Sequence, residues 1–154
     1  MKKIISLLML ATLLAAGTAF AADPIVGTWK LNVAKSKFTP GQELKSSTRV
    51  YTEGADGVYT LEQKRMGADG KEVSLKVQYS DGKDMKQAPG APVEMTHAKK
   101  VDANTWDFEL KQGGKVVGHV HRVVSADGKT LTVHNQGMQL SGVTGEETLV
   151  YDKQ

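Results

Sequence analysis

The stretch Gly118-His-Val-His-Arg-Val-Val124 sets His119 and His121 two residues apart, and His134 follows in Leu131-Thr-Val-His-Asn-Gln136. On an extended chain this spacing turns both imidazoles to one side. A third from a neighbouring strand would complete a nitrogen set suited to Zn²⁺ or Cu²⁺. The same stretch offers a different chemistry through Arg122, which sits among valines. A guanidinium there is a planar fork for a carboxylate or phosphate. Strand alternation sends Arg122 and the histidines to opposite faces, so the face that points inward decides which chemistry is available.

Other chemistry is poorly supplied. The chain has no cysteine, which excludes thiol catalysis. No serine lies in a G-x-S-x-G elbow, and no phosphate-binding loop or dinucleotide fingerprint opens a βα unit. Glu146 and Glu147 are consecutive, so a strand turns them to opposite faces and they cannot share one proton transfer. We therefore expect no enzyme and no cofactor.

The elements that would position these residues are short β-rich runs separated by Gly, Asp and Asn. Strands are predicted over Gly27 to Leu31, Ser47 to Glu53, Val58 to Arg65, Glu72 to Ser80, Glu94 to Val101, Thr105 to Gln112, Lys115 to Ser125, Thr130 to Gln136 and Glu146 to Asp152. Four connections carry Asp-Gly, the dipeptide of tight two-residue hairpins with positive φ, and a fifth carries Gly113-Gly114. Met85 to Val93 contains Pro89 and Pro92 and reads as a loop or edge element. Residues 33–45 form the other interruption, with room for one helical turn at 34–36. No longer stretch has a helical period. The fold class is all-β, an antiparallel up-and-down barrel of about eight to ten strands.

Alternation assigns faces. Val73, Leu75, Val77 and Tyr79 lie on one side of their strand, and Trp106, Phe108 and Leu110 on one side of theirs. A turn at Asp127-Gly128 makes Arg122 oppose Val133, Val124 oppose Leu131, Val120 oppose Asn135 and His121 oppose His134. Val116, Gly118, Val120, Arg122 and Val124 then form the apolar face. His119, His121 and His134 converge on the outside.

The chain opens with Lys2 and Lys3, an apolar run from Ile4 to Ala16 and the small-x-small site Ala19-Phe-Ala21. That is the layout of a secretory signal peptide over residues 1–21, with no membrane span once it is removed. Residues 22–154 are expected to fold as one domain, periplasmic or secreted, stabilised by a single core without disulfides. Two of the lysines behind the formal charge of +3 lie in the leader, so the remaining chain is nearly neutral. This removes the electrostatic case for nucleic acid.

Val26-Gly-Thr-Trp-Lys-Leu31 places a Gly-x-Trp at the first strand, and Leu149-Val-Tyr-Asp-Lys153 ends the chain. With the intervening meander, these resemble the lipocalin and fatty-acid-binding protein superfamily, the calycins. In order, GTWKLN, KSKFTPG, SADGKTLT and VYDK resemble small secreted bacterial lipocalin-like proteins. The resemblance implies that Trp29 closes one end of a barrel against the last strands. It also implies an internal anchor for a ligand carboxylate, an Arg-x-Tyr on the last strand. Here Tyr151 matches the tyrosine, while Leu149 stands at the arginine position. Arg122 lies on a strand comparable to that of the family's second internal arginine. The helix pair that lids fatty-acid-binding barrels has no counterpart in the short connection after Leu31.

The expected function is binding of a small apolar or amphipathic molecule inside the barrel of a monomer. The candidate contacts are Arg122, Tyr151, Tyr79, Trp106, Phe108, Val120 and Leu149. Two alternatives stand beside it: a filled barrel acting as a protein interaction module, and a surface metal binder using His119, His121 and His134.

Overall fold

The computed structural model describes residues 22–154; the expected signal peptide lies outside them. Ten strands form one antiparallel sheet: β1 Gly27–Leu31, β2 Leu44–Glu53, β3 Val58–Gly67, β4 Glu72–Ser80, β5 Lys83–Lys86, β6 Met95–Lys100, β7 Thr105–Gln112, β8 Lys115–Val124, β9 Thr130–Met138 and β10 Thr144–Lys153. Their order is β4-β3-β2-β1-β10-β9-β8-β7-β6-β5, so the first and last strands pair and the sheet curls into a nearly closed barrel. Its two edges, β4 and β5, meet at a seam. Residues 33–35 make a single 3₁₀ turn, and no lid of two helices occurs among the described residues. No helix among them is long and apolar enough to cross a membrane.

The turns depart from the expected geometry. Positive φ at both central residues occurs at Gly113-Gly114 and at Asp56-Gly57. In the other three Asp-Gly turns only the glycine is left-handed. The turn at Asp127-Gly128 is a four-residue loop closed by Ser125 N–H to Thr130 O, 2.8 Å, and keeps the expected register. Ser80-Asp-Gly-Lys83 makes no hairpin. It is the corner at the seam, where Gly82 N–H donates to Ala98 O.

The short edge strand β5 begins at Lys83, in the expected turn, and takes only Met85 and Lys86 from the proline-bearing segment, ending before Pro89. Across the seam the Gln87 side chain substitutes for a ladder. Its Nε2 donates to Gln78 O, Met85 O and Thr96 Oγ1 at 3.1, 3.0 and 2.9 Å.

Alternation carries the apolar face inward on β4 and on β7 to β10, giving buried Val77, Leu110, Leu131, Val133 and Leu149, although Val73 near the start of β4 is exposed. One position inverts. A bulge between Leu110 and Lys111 shifts the β7–β8 register, so Val116 is turned outward while Val117 packs against the core. Gly118 pairs with Gly137 next to this bulge, and any side chain at Gly118 would collide with the Met138 backbone.

The two ends of the barrel differ. One end carries the turns at 54–57, 81–82, 101–104 and 125–129 together with the start of β1. Here Asp23 is buried, accepting from Ile25 N–H at 2.9 Å, Tyr59 Oη at 3.1 Å and Lys100 Nζ at 2.6 Å. Trp29 is fully buried, donates to Ile25 O and lies under Lys153 Nζ, which closes this end against the last strand. The opposite end carries residues 32–43, 67–71, 87–94, 113–114 and 139–143. Buried Val93 and Leu140 cover it, and the turn at Gly142 lies against Pro92.

Candidate functional site

The expected pairing of β8 with β9 is present: Arg122 opposes Val133, Val120 opposes Asn135, and His121 opposes His134. Arg122 therefore points into the barrel, 1% exposed. It lies near the Asp23 end, two residues before β8 finishes. Its Cζ is 4.0 Å from the Phe108 ring centroid, 5.4 Å from that of Tyr79 and 5.5 Å from that of Tyr51. Nε, Nη1 and Nη2 have no hydrogen-bond partner among the described residues. Aromatic faces stabilise a desolvated guanidinium by roughly 0.5–2 kcal/mol each. They do not replace the directional acceptors it has lost.

The rings around it are themselves packed together. Tyr59, Tyr79, Trp106 and Phe108 form a stacked and edge-to-face cluster with centroid separations of 4.9 to 6.2 Å. Tyr79 Oη and Trp106 Nε1 are buried without partners among the described residues. Burial pushes the Tyr79 phenol above its ordinary range, against the opposing pull of Arg122.

The other sequence-derived interior residues, Val120, Leu149 and Tyr151, are also buried and inward. Tyr151 Oη donates to Ser47 Oγ at 3.3 Å and receives Gln63 Nε2 at 3.4 Å. Leu149 opposes Val133, so the arginine position of the family pattern is part of the apolar wall.

The structure adds charged residues that alternation did not single out. Arg49, Arg65 and Glu147 are buried on inward positions of β2, β3 and β10. Arg49 Nη1 donates to Tyr51 Oη at 3.1 Å, and its Cζ lies 4.9 Å from the Tyr151 ring centroid. Arg65 opposes Ser47 and borders a depression at the Leu140 end with Leu44, Val73, Ser141 and Val143. Burial lowers the Arg65 guanidinium from its usual range, and the neighbouring Arg49 adds to the effect against Glu147 and Tyr151. Glu147 Oε1 accepts from Asn135 Nδ2 at 2.9 Å, while its Oε2 has no partner among the described residues. None of the three arginines belongs to an ion pair among those residues.

A sequence signal for these three existed but was faint. On β2 and β3 both faces carry polar residues, so Ser47-x-Arg49-x-Tyr51 and Gln63-x-Arg65 show no apolar contrast to mark the inside. Glu147 shows the split expected of the acid pair, buried while Glu146 is exposed.

The histidines lie on the outer face, as the register requires. His121 Nδ1 pairs with Asp107, and His134 contacts Thr148 Oγ1 at 3.1 Å and Glu146 at 3.5 Å. His119 is exposed nearby and His97 pairs with Asp84. The imidazoles of His121 and His134 thus turn to separate carboxylates. His119, His121 and His134 line one depression on the outer face together with His97, Asp107 and Glu109; no group of three His, Cys, Asp or Glu among the described residues is arranged to hold a metal ion.

No protein-family model matches the chain, and no curated protein matches its sequence. Solved structures do match its fold. The fluorescent protein UnaG is similar with a TM-score of 0.61 at 14% identity, over 87% of this chain and 100% of that one. Fatty-acid-binding protein 1 of Echinococcus granulosus gives 0.57 at 15%, over 84% and 97%. A secretary abundant heat soluble (SAHS) protein of Ramazzottius varieornatus gives 0.59 at 11%, over 87% and 98%. The fold is a calycin-like barrel.

Proposed function

We propose that this barrel is a secreted or periplasmic binding protein that holds a small amphipathic anion noncovalently in its interior, with Arg122 as the anchor. The observation that carries the reading is the Arg122 guanidinium, buried with all three nitrogens unpaired among the described residues. A buried charge without acceptors costs several kcal/mol, and a carboxylate or phosphate from outside removes most of that cost. The walls beside it are aromatic and aliphatic, which suits an apolar body attached to the anion. One of the similar folds is by name a fatty-acid-binding protein, which agrees with such a ligand. The leader-like first 21 residues support secretion.

A second reading has its own support. The interior is densely filled, and the described depressions lie on the outer face and at the rims. This favours a filled barrel that meets a protein partner through its surface. Native mass spectrometry of the protein from its own envelope, followed by titration with dodecanoate, separates the two. A co-purifying anion, and dodecanoate binding that falls at least tenfold in Arg122→Gln, support the internal site. An unliganded protein that binds no anion would leave the surface reading.

A further inference from the structure

All four histidines of the chain lie on the outer face of β6, β8 and β9, in two adjacent rungs of the sheet. One rung runs His97, Glu109, His119 and Gln136 across β6 to β9, and the next runs Lys99, Asp107, His121 and His134. The rings differ in what holds them. Asp107 engages His121 through Nδ1, which fixes the Nδ1–H tautomer and leaves the Nε2 lone pair for a ligand. The His119 side chain has no hydrogen-bond or ion-pair partner among the described residues. His134 meets a hydroxyl, Thr148 Oγ1, at 3.1 Å and Glu146 at 3.5 Å.

The backbone register brings three of these residues within reach of one point. His121 and His134 are directly opposed, so their Cβ atoms are about 4.5–5.5 Å apart. His119 stands two residues along β8 on the same side, ~6.6 Å from His121. The rings are not gathered as they stand. Side-chain rotation suffices to gather them on bonds of about 2.0–2.1 Å, because His119 has nothing to release and His134 gives up two exposed contacts that contribute little. His97 is outside this triangle: it lies two strands from His119, about 9–10 Å across Glu109, with its Nδ1 on Asp84. The depression sets the carboxylates of Asp107 and Glu109 against one cation, Lys99, which favours a positive ligand. Imidazole donors select first-row transition ions over Mg²⁺ and Ca²⁺.

We propose that the outer face of β8 and β9 is a site for a divalent transition-metal ion, with His119, His121 and His134 as ligands and Asp107 as the positioning residue for His121. Ion binding draws His119 and His134 to the His121 Nε2 while the backbone stays in register. The site is on the other side of the wall from Arg122 and does not depend on what the interior holds.

The test titrates Zn²⁺ alone into protein free of any histidine tag, by isothermal titration calorimetry with native mass spectrometry for stoichiometry. Wild type, His119→Ala, His134→Ala and His97→Ala are compared, with circular dichroism to confirm that each is folded. Wild type is expected to take one ion per chain. Loss of an outer-shell partner alone costs about 10–100-fold in affinity, so His119→Ala and His134→Ala are each expected to weaken binding by at least about tenfold. His97→Ala is expected to bind as wild type does. Asp107→Ala is expected to weaken Zn²⁺ by about tenfold and, in ion-free protein, to shift the ring ¹⁵N resonances of His121 away from the Nδ1–H tautomer, which a merely structural role leaves in place. Absence of one-to-one binding overturns the site, as does equal affinity in wild type and His134→Ala. An equal loss in His97→Ala shows diffuse adventitious binding to surface imidazoles and overturns it too. An unchanged His121 tautomer in Asp107→Ala overturns the role given to Asp107.

Discussion

Arg122 opposes folding as it stands. Its three nitrogens gave up water for aromatic faces alone among the described residues, and the surrounding rings cannot satisfy five N–H donors. Replacing it with an apolar side chain of similar length should therefore stabilise the barrel. Arg122→Met is expected to raise the urea unfolding free energy by about 1–4 kcal/mol while abolishing anion binding. A loss of stability instead would mean that the guanidinium is satisfied within the fold. Arg122 was legible because its strand alternates valine with polar residues and because one turn fixed its register. Arg49 and Arg65 were not, since their strands carry polar side chains on both faces.

At the scale of elements, the turns and the seam carry the local stability. Ser125 Oγ and Lys129 N–H both donate to the Asp127 carboxylate and hold it below the usual carboxylate range. Lys71 N–H does the same for Asp69, Lys111 and His97 for Asp84, and Asn104 N–H for Asp102. Each is lowered in the folded state, so its contribution is present above the unfolded value near 3.9 and is lost as pH falls through the folded one. Unfolding free energy should thus be level from about pH 7 to 5 and decline below about 4. Asp127→Asn is expected to make that decline shallower; an unchanged acid slope would remove the turn from the account. At the seam, Gln87→Ala withdraws three hydrogen bonds and leaves Gln78 O, buried side chains and the edge of β4 poorly held. A loss of roughly 1–3 kcal/mol is expected, with faster amide exchange confined to β4, β5 and β6. Uniform exchange across the barrel would argue against the Gln87 bridge.

For the molecule as a whole, the interior is an aromatic and cationic column closed by Trp29 at one end and by Val93 and Leu140 at the other. Burial pushes the Tyr59 and Tyr79 phenols above the ordinary tyrosine range, with Asp23 and Glu53 adding to the effect on Tyr59. Below about pH 10 these groups are protonated in both states and add no pH dependence. Above it the unfolded chain ionises first, so stability should fall as pH rises from about 10. Alkaline denaturation followed by circular dichroism checks this. Tyr79→Phe should shift the midpoint upward, and no shift would place the sensitivity elsewhere.

The sequence by itself determined nine of the ten strands, the inward direction of Arg122 and the outward direction of the histidines. Period-two alternation and a turn-fixed register are local properties, and a slip of one residue would have exposed a whole apolar face. Only the tertiary structure decided that Asp81-Gly82 is a corner at the seam, that a bulge exchanges Val116 for Val117, and that the histidines bind separate carboxylates. It alone brought Arg49, Arg65 and Glu147 into the same interior as Arg122. Those residues lie on strands far apart in the chain, and which charges share a low-dielectric space depends on how the sheet closes.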